Sequence, residues 1–184
     1  YCNLMKCDHQ TVATWEQSFA NELGPLSQGI QDQKGTNTIF FVPKSQVPVG
    51  RTITYGRIVC DLKPHKVEKE STHLTVGGNL IDFPGNVSAK TVDLTTAKCL
   101  FNSVISTPGA KFSCFDISNM YLNTKLPSPE YMQVHTSMIP QEVMHEYNVN
   151  QYVDEKGYAY VEITGAIYGL AQSGYLANQD LIKN

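Results

Sequence analysis

The sequence predicts an α+β fold, and three observations support that class. Short runs rich in β-branched and aromatic residues are separated by turn residues, as in Thr38 to Val42 and Ile53 to Leu62. Other stretches repeat apolar residues at helical spacing, most clearly Leu94, Ala97, Phe101, Val104 and Ile105. The two kinds of segment do not alternate strictly, which argues against a parallel α/β sheet.

Taken in chain order, Thr14-x-x-Gln17 reads as a capping box, opening a short helix through Trp15, Phe19 and Leu23 that Gly24-Pro25 interrupts. Residues 1–14 read as a loose leading segment. The runs Ile53 to Leu62 and His73 to Val76, with the turn Lys63-Pro64-His65-Lys66 between them, predict an antiparallel hairpin with a basic tip. Gly77-Gly78 and Pro84-Gly85 mark a loop. Asp93 is a plausible N-cap for the next helix, which ends near Pro108-Gly109. Lys111 to Ile117 reads as a strand, Tyr131 to Val134 as a short strand, and Ile139 to Tyr147 as a helix opened by Pro140. Tyr158 to Ile163 is again strand-like, and a last helix starts near Ala171. A shift of charge near residue 90 is the one boundary candidate, dividing 15–90 from 91–184.

Composition places the chain among globular proteins: 41% of residues are apolar and 17% charged. No stretch has the length of apolar sequence a membrane span needs, and the start lacks a signal-peptide layout, so an intracellular location, cytoplasmic or nuclear, is expected. Five cysteines at irregular spacing argue against a disulfide framework, and three of them sit in apolar runs where a thiol packs as a small hydrophobe. Cys2, Cys7 and His9 match no common zinc spacing and have no fourth ligand nearby. The net charge of -3 does not favour nucleic-acid binding. Its distribution does: Lys44 to Lys69 holds six basic residues against two acids, whereas Leu126 to Ile163 holds six acids against Lys156 alone.

Asp116 is the most informative single residue, because an ionised carboxylate among Phe112, Cys114, Phe115 and Ile117 is costly without a partner. A divalent cation at the strand end would compensate it, and so would a local cap or a lysine. No Gly-rich phosphate loop, HExxH helix or Ser nucleophile elbow is present, which removes the commonest nucleotide-hydrolase, zinc-protease and esterase classes. His73, His135 and His145 are scattered along the chain.

Three ordered blocks resemble those of copia-type retrotransposon reverse transcriptases: Phe115 to Thr124 followed by Glu130-Tyr131-Met132, then Tyr158 to Ile163, then Ile167 to Gln172. Upstream, Ala20 to Leu23, Gly35 to Thr38, Tyr55 to Asp61 and Leu74 to Gly78 resemble the fingers region of the same family. The resemblance implies the fingers and a partial palm of a right-hand polymerase, an antiparallel sheet with packed helices. Residues 15–90 would form the fingers-like part, and 91–184 an incomplete palm.

By the same resemblance, Asp116 and the backbone carbonyl of Ile117 would hold Mg²⁺, two ions in the intact parent, for nucleotidyl transfer. Tyr121 would pack under the incoming sugar and Gln172 would contact the nucleotide. Lys63, Lys66 and Lys69 would close over triphosphate or template. The implied partners are an RNA template, a DNA primer and dNTP, together with the remaining palm, thumb and ribonuclease H parts of a polyprotein.

Departures from the family pattern are informative too. His73 stands where the family carries an Arg whose fork holds triphosphate oxygens, and a neutral imidazole does not replace that fork. Ala171 stands in place of a Pro. The Asp-Asp hairpin that supplies further metal ligands is expected beyond Asn184, so the chain alone is expected to be inactive. The alternative is a degenerate, non-catalytic remnant that at most binds nucleic acid or a partner through the basic hairpin, or does nothing at all. An unrelated metal-dependent hydrolase built on Asp116 is disfavoured, since no second carboxylate cluster or histidine ligand lies at ligand spacing.

Overall fold

The computed structural model describes residues 1–89, 91–114, 117 and 119–183. The chain is α+β, and its described residues form four α-helices and a curled, mixed five-stranded sheet covered on one face.

Helix α1 (His9–Leu26) starts five residues before the expected capping box. Asp8 is the N-cap: its carboxylate accepts from the Thr11 amide at 3.0 Å and the Thr11 hydroxyl at 2.7 Å. Thr14 lies inside the helix, where its hydroxyl donates back to the Gln10 carbonyl. Pro25 falls in the last turn rather than ending the helix, which closes when the Ser27 amide donates to Leu23 and Gly24. The leading segment is not loose, because it contributes the first turns of α1 and Tyr1 stacks on Phe19 at 5.3 Å between ring centroids.

A two-residue hairpin, β1 (Gly29–Ile30) with β2 (Gln33–Lys34), follows α1. The main sheet contains β3 (Ile39–Val42), β4 (Ile53–Leu62), β5 (Glu70–Val76), β6 (Lys125–His135) and β7 (Tyr158–Gly165), in the order β3-β7-β6-β4-β5. The predicted hairpin is present: β4 and β5 run antiparallel from Gly56 opposite Val76 to Leu62 opposite Glu70. The sheet departs from an all-antiparallel one at its centre, where β4 and β6 are parallel and Ile53 lies opposite Tyr131. Parallel neighbours require a long crossover, and the chain between β5 and β6 supplies it. The sheet draws strands from both sides of residue 90, so segment 15–90 is not a self-contained layer.

Alternation sorts the strands into two faces. Leu74, Val76, Met132, Val134, Val161 and Ile163 point toward α1, where they meet Phe19, Leu23 and Leu26 in one core. Helix α3 (Gln141–Glu146) adds Val143 and Met144. Helix α2 (Leu94–Ser106) forms as expected, with Asp93 accepting from the Thr96 amide, yet none of its residues is buried. Its apolar stripe is largely exposed, with Ile105 84% exposed and Phe112 packed on Phe101.

Lys111 to Cys114 and Ile117 form no strand. A strand needs a neighbour for its amides and carbonyls, and no described strand takes that place. Cys99 and Cys114, read as packed thiols, are exposed, and only Cys60 is half-buried. Helix α4 (Ser173–Lys183) closes the described chain. Among the described residues, no helix is long and apolar enough to cross a membrane.

Candidate functional site

Residues far apart in sequence converge on a cavity of about 710 Å³ at the edge of the sheet. Glu22 from α1, His73 from β5, Ile117, Asn119 and Tyr121 from the segment before β6, and Tyr168 from the turn after β7 all line it.

Backbone contacts fix these walls. The Val76 amide donates to the Tyr168 carbonyl at 2.8 Å, tying the turn after β7 to the end of β5. Gly169, at φ +100°, packs so closely on Val76 that a Cβ there would overlap the Val76 carbonyl oxygen. Gly78 stands in the same relation to the Gly169 carbonyl. Gly77-Gly78, which in sequence marks a loop, is therefore with Gly169 a site of close backbone approach. On the other side, Asn119 adopts φ +54° and the Thr124 amide closes a turn onto the Tyr121 carbonyl. That turn is anchored by the buried Thr38, which donates to the Leu122 carbonyl, and by the Ala166 amide, which donates to Thr124.

The aromatic wall is Tyr121 set edge-on to Tyr168, with ring centroids 5.5 Å apart. Facing it is a polar cluster. His73 Nδ1 lies 3.5 Å from Glu22 Oε1, and its Nε2 lies 3.3 Å from Lys63 Nζ and 3.4 Å from Ser71 Oγ. Lys63 also donates to Ser71 Oγ at 2.9 Å. Glu22 is held in place by the Leu74 amide, which donates to it at 3.2 Å. Burial pushes the Glu22 carboxyl above its ordinary range, while the Leu74 amide, His73 and Lys63 pull it back.

The structure therefore gathers four of the sequence-predicted residues, Ile117, Tyr121, His73 and Lys63: three line the cavity and Lys63 reaches it through His73. Lys66 and Lys69 stand apart, exposed at the hairpin tip, where the Lys63 amide donates to the Lys69 carbonyl. Gln172 is 2% exposed and does not line the cavity, and its side-chain oxygen has no hydrogen-bond partner among the described residues. Asp116 lies outside the described residues.

Sequence reasoning missed Glu22 and Tyr168 as site residues. Glu22 carried a legible signal: it is a carboxylate on the same helical stripe as Phe19, Leu23 and Leu26, where burial demands a partner. Among the described residues no group of three His, Cys, Asp or Glu side chains is placed to hold a metal ion. The donor set named from sequence, one carboxylate and one carbonyl, falls short of what two Mg²⁺ ions need.

Comparison with known protein families, curated proteins and solved structures returns no match for this chain.

Proposed function

We propose that this chain is part of a copia-type retrotransposon reverse transcriptase, an RNA-directed DNA polymerase, and that its cavity receives the incoming dNTP. The observation that carries this reading is convergence. Tyr121 and Tyr168 come from two separate blocks of the resemblance, His73 stands immediately before a third, and the three line one cavity, with Lys63 beside it. An aromatic wall with the Lys63 ammonium and the His73 ring beside it suits a sugar and base on one side and phosphates on the other. The basic β4–β5 hairpin extends the positive surface toward a template strand. Two-metal nucleotidyl transfer belongs to the intact parent, which brings further carboxylates, so the isolated chain is inactive in primer extension.

The test is equilibrium binding of a fluorescent dTTP analogue to the 184-residue chain. The expected result is saturable binding that weakens at least about ten-fold in Tyr121→Ala, about 1.4 kcal/mol. Binding indifferent to that substitution removes the cavity from the reading, and Mg²⁺-dependent incorporation by the isolated chain overturns its assignment as inactive.

A further inference from the structure

The cluster on the cavity wall answers the difficulty that His73 posed in sequence, where a neutral imidazole stood in place of a fixed cation. We infer that Glu22 is a positioning residue that makes His73 a proton-operated phosphate donor, so that triphosphate binding at this cavity takes up a proton. The inference rests on the nucleotide reading above and names how that site is regulated.

The geometry supplies both states. In the neutral imidazole, Nδ1–H faces Glu22 and Nε2 accepts from Lys63 across 3.3 Å. In that state the ring offers no proton to a ligand, and it occupies one donor of Lys63. On protonation Nε2 becomes a donor, and its contact with the Lys63 ammonium turns from hydrogen bond to repulsion. Lys63 is then released, and two cationic donors are available to one anion. Glu22 sits on the far side of the ring, 22% exposed and anchored by the Leu74 amide, so the imidazolium has a carboxylate partner throughout.

The remaining neighbours of His73 are accounted for. On β4 the facing residue is the neutral Val59, flanked two positions away by Arg57 and Asp61. On β5 the near group is the Ser71 hydroxyl, and from the turn after β7 it is the Tyr168 ring, 6.5 Å away between centroids. Only Glu22 and Lys63 approach the imidazole nitrogens as charged groups among the described residues. Histidine as a residue type is the side chain that ordinarily changes charge between pH 5 and 8, which sets the pH range of the experiment.

The experiment is calorimetric titration of the full chain with inorganic triphosphate and with dTTP, at pH 6, 7 and 8, in two buffers of different ionisation enthalpy. The expected result is uptake of up to one proton per ligand and affinity about ten-fold tighter at pH 6 than at pH 8. That gain is measured relative to His73→Gln, which retains the titration of the phosphate itself. Glu22→Gln moves the gain to lower pH, Glu22→Asp restores part of it, and His73→Arg binds tightly without it. Because Glu22 is largely buried, the half-exposed His73 carries the test if Glu22→Gln fails to fold.

Equal pH slopes in the wild type and His73→Gln overturn the inference, and an unchanged slope in a folded Glu22→Gln does the same. Pairing the ligands separates the two claims. Binding of dTTP without proton uptake leaves the nucleotide reading and removes the switch. Triphosphate binding with proton uptake, but no tighter binding of dTTP, leaves the switch and removes the nucleoside. Absence of binding by both removes both.

Discussion

Replacing Gly169 with alanine tests whether close backbone approach builds the cavity. Two costs add at this position. The first is conformational: φ of +100° is a region that L side chains rarely adopt, and alanine there costs about 1–2 kcal/mol. The second is spatial, because the new Cβ overlaps the Val76 carbonyl oxygen and pushes Tyr168 off the end of β5. Losing the hydrogen bond from the Val76 amide to the Tyr168 carbonyl adds about 0.5–1.5 kcal/mol.

The expected total is about 1.5–3.5 kcal/mol. Gly50 provides the control, since it has φ +85° and nothing lies within 4 Å of the position its Cβ would take, so Gly50→Ala registers the conformational cost alone. Urea unfolding followed by circular dichroism at constant m-value measures both. If Gly169→Ala destabilises no more than Gly50→Ala, the turn after β7 does not depend on this contact, and the account of how Tyr168 is placed fails.

Three further expectations concern other parts of the molecule. Phe19→Ala should lose about 3–5 kcal/mol, because Phe19 is fully buried, while Phe101→Ala on exposed α2 should lose far less; equal losses in urea unfolding would contradict the assigned core. The Glu22 carboxyl is raised by burial, so the native state holds its proton more tightly than the unfolded chain. Its contribution to stability is present below the ordinary carboxylate range and falls as pH rises through the raised value; Glu22→Gln should flatten that decline in thermal unfolding, and an unchanged decline would refute the assignment. Reversing charge with Lys66→Glu and Lys69→Glu together should weaken RNA binding at low salt and reduce its salt slope in a filter assay; an unaltered slope would show that the hairpin tip does not contact phosphate.

Local signals were read well where the responsible physics is local. The β-branched and aromatic run from Ile53 to Leu62 matches β4, and the Asp93 carboxylate caps α2 as its position predicts. The start of α1 differs from the capping box Thr14-x-x-Gln17 because the Asp8 carboxylate takes the Thr11 amide and hydroxyl, while Thr14 bonds back to the Gln10 carbonyl inside the helix. Lys111 to Ile117 looked like a strand because it is apolar, but pairing partners lie outside any local window. The parallel pairing of β4 with β6 is illegible for the same reason. The neighbours of His73 are illegible in sequence because Glu22 and Lys63 reach it from α1 and from the hairpin turn.

The order of strands in the sheet also governs how the molecule comes together during synthesis. β3 and β4 leave the ribosome early, yet neither neighbours the other: the later β6–β7 pair slots between them. Until that pair emerges, the first half of the chain holds an open gap where the middle of its sheet belongs. The same interleaving means that a protease cut in the exposed stretch around α2 leaves two pieces locked by alternating strands, which makes that stretch the natural place to split the protein and test whether its halves reassemble.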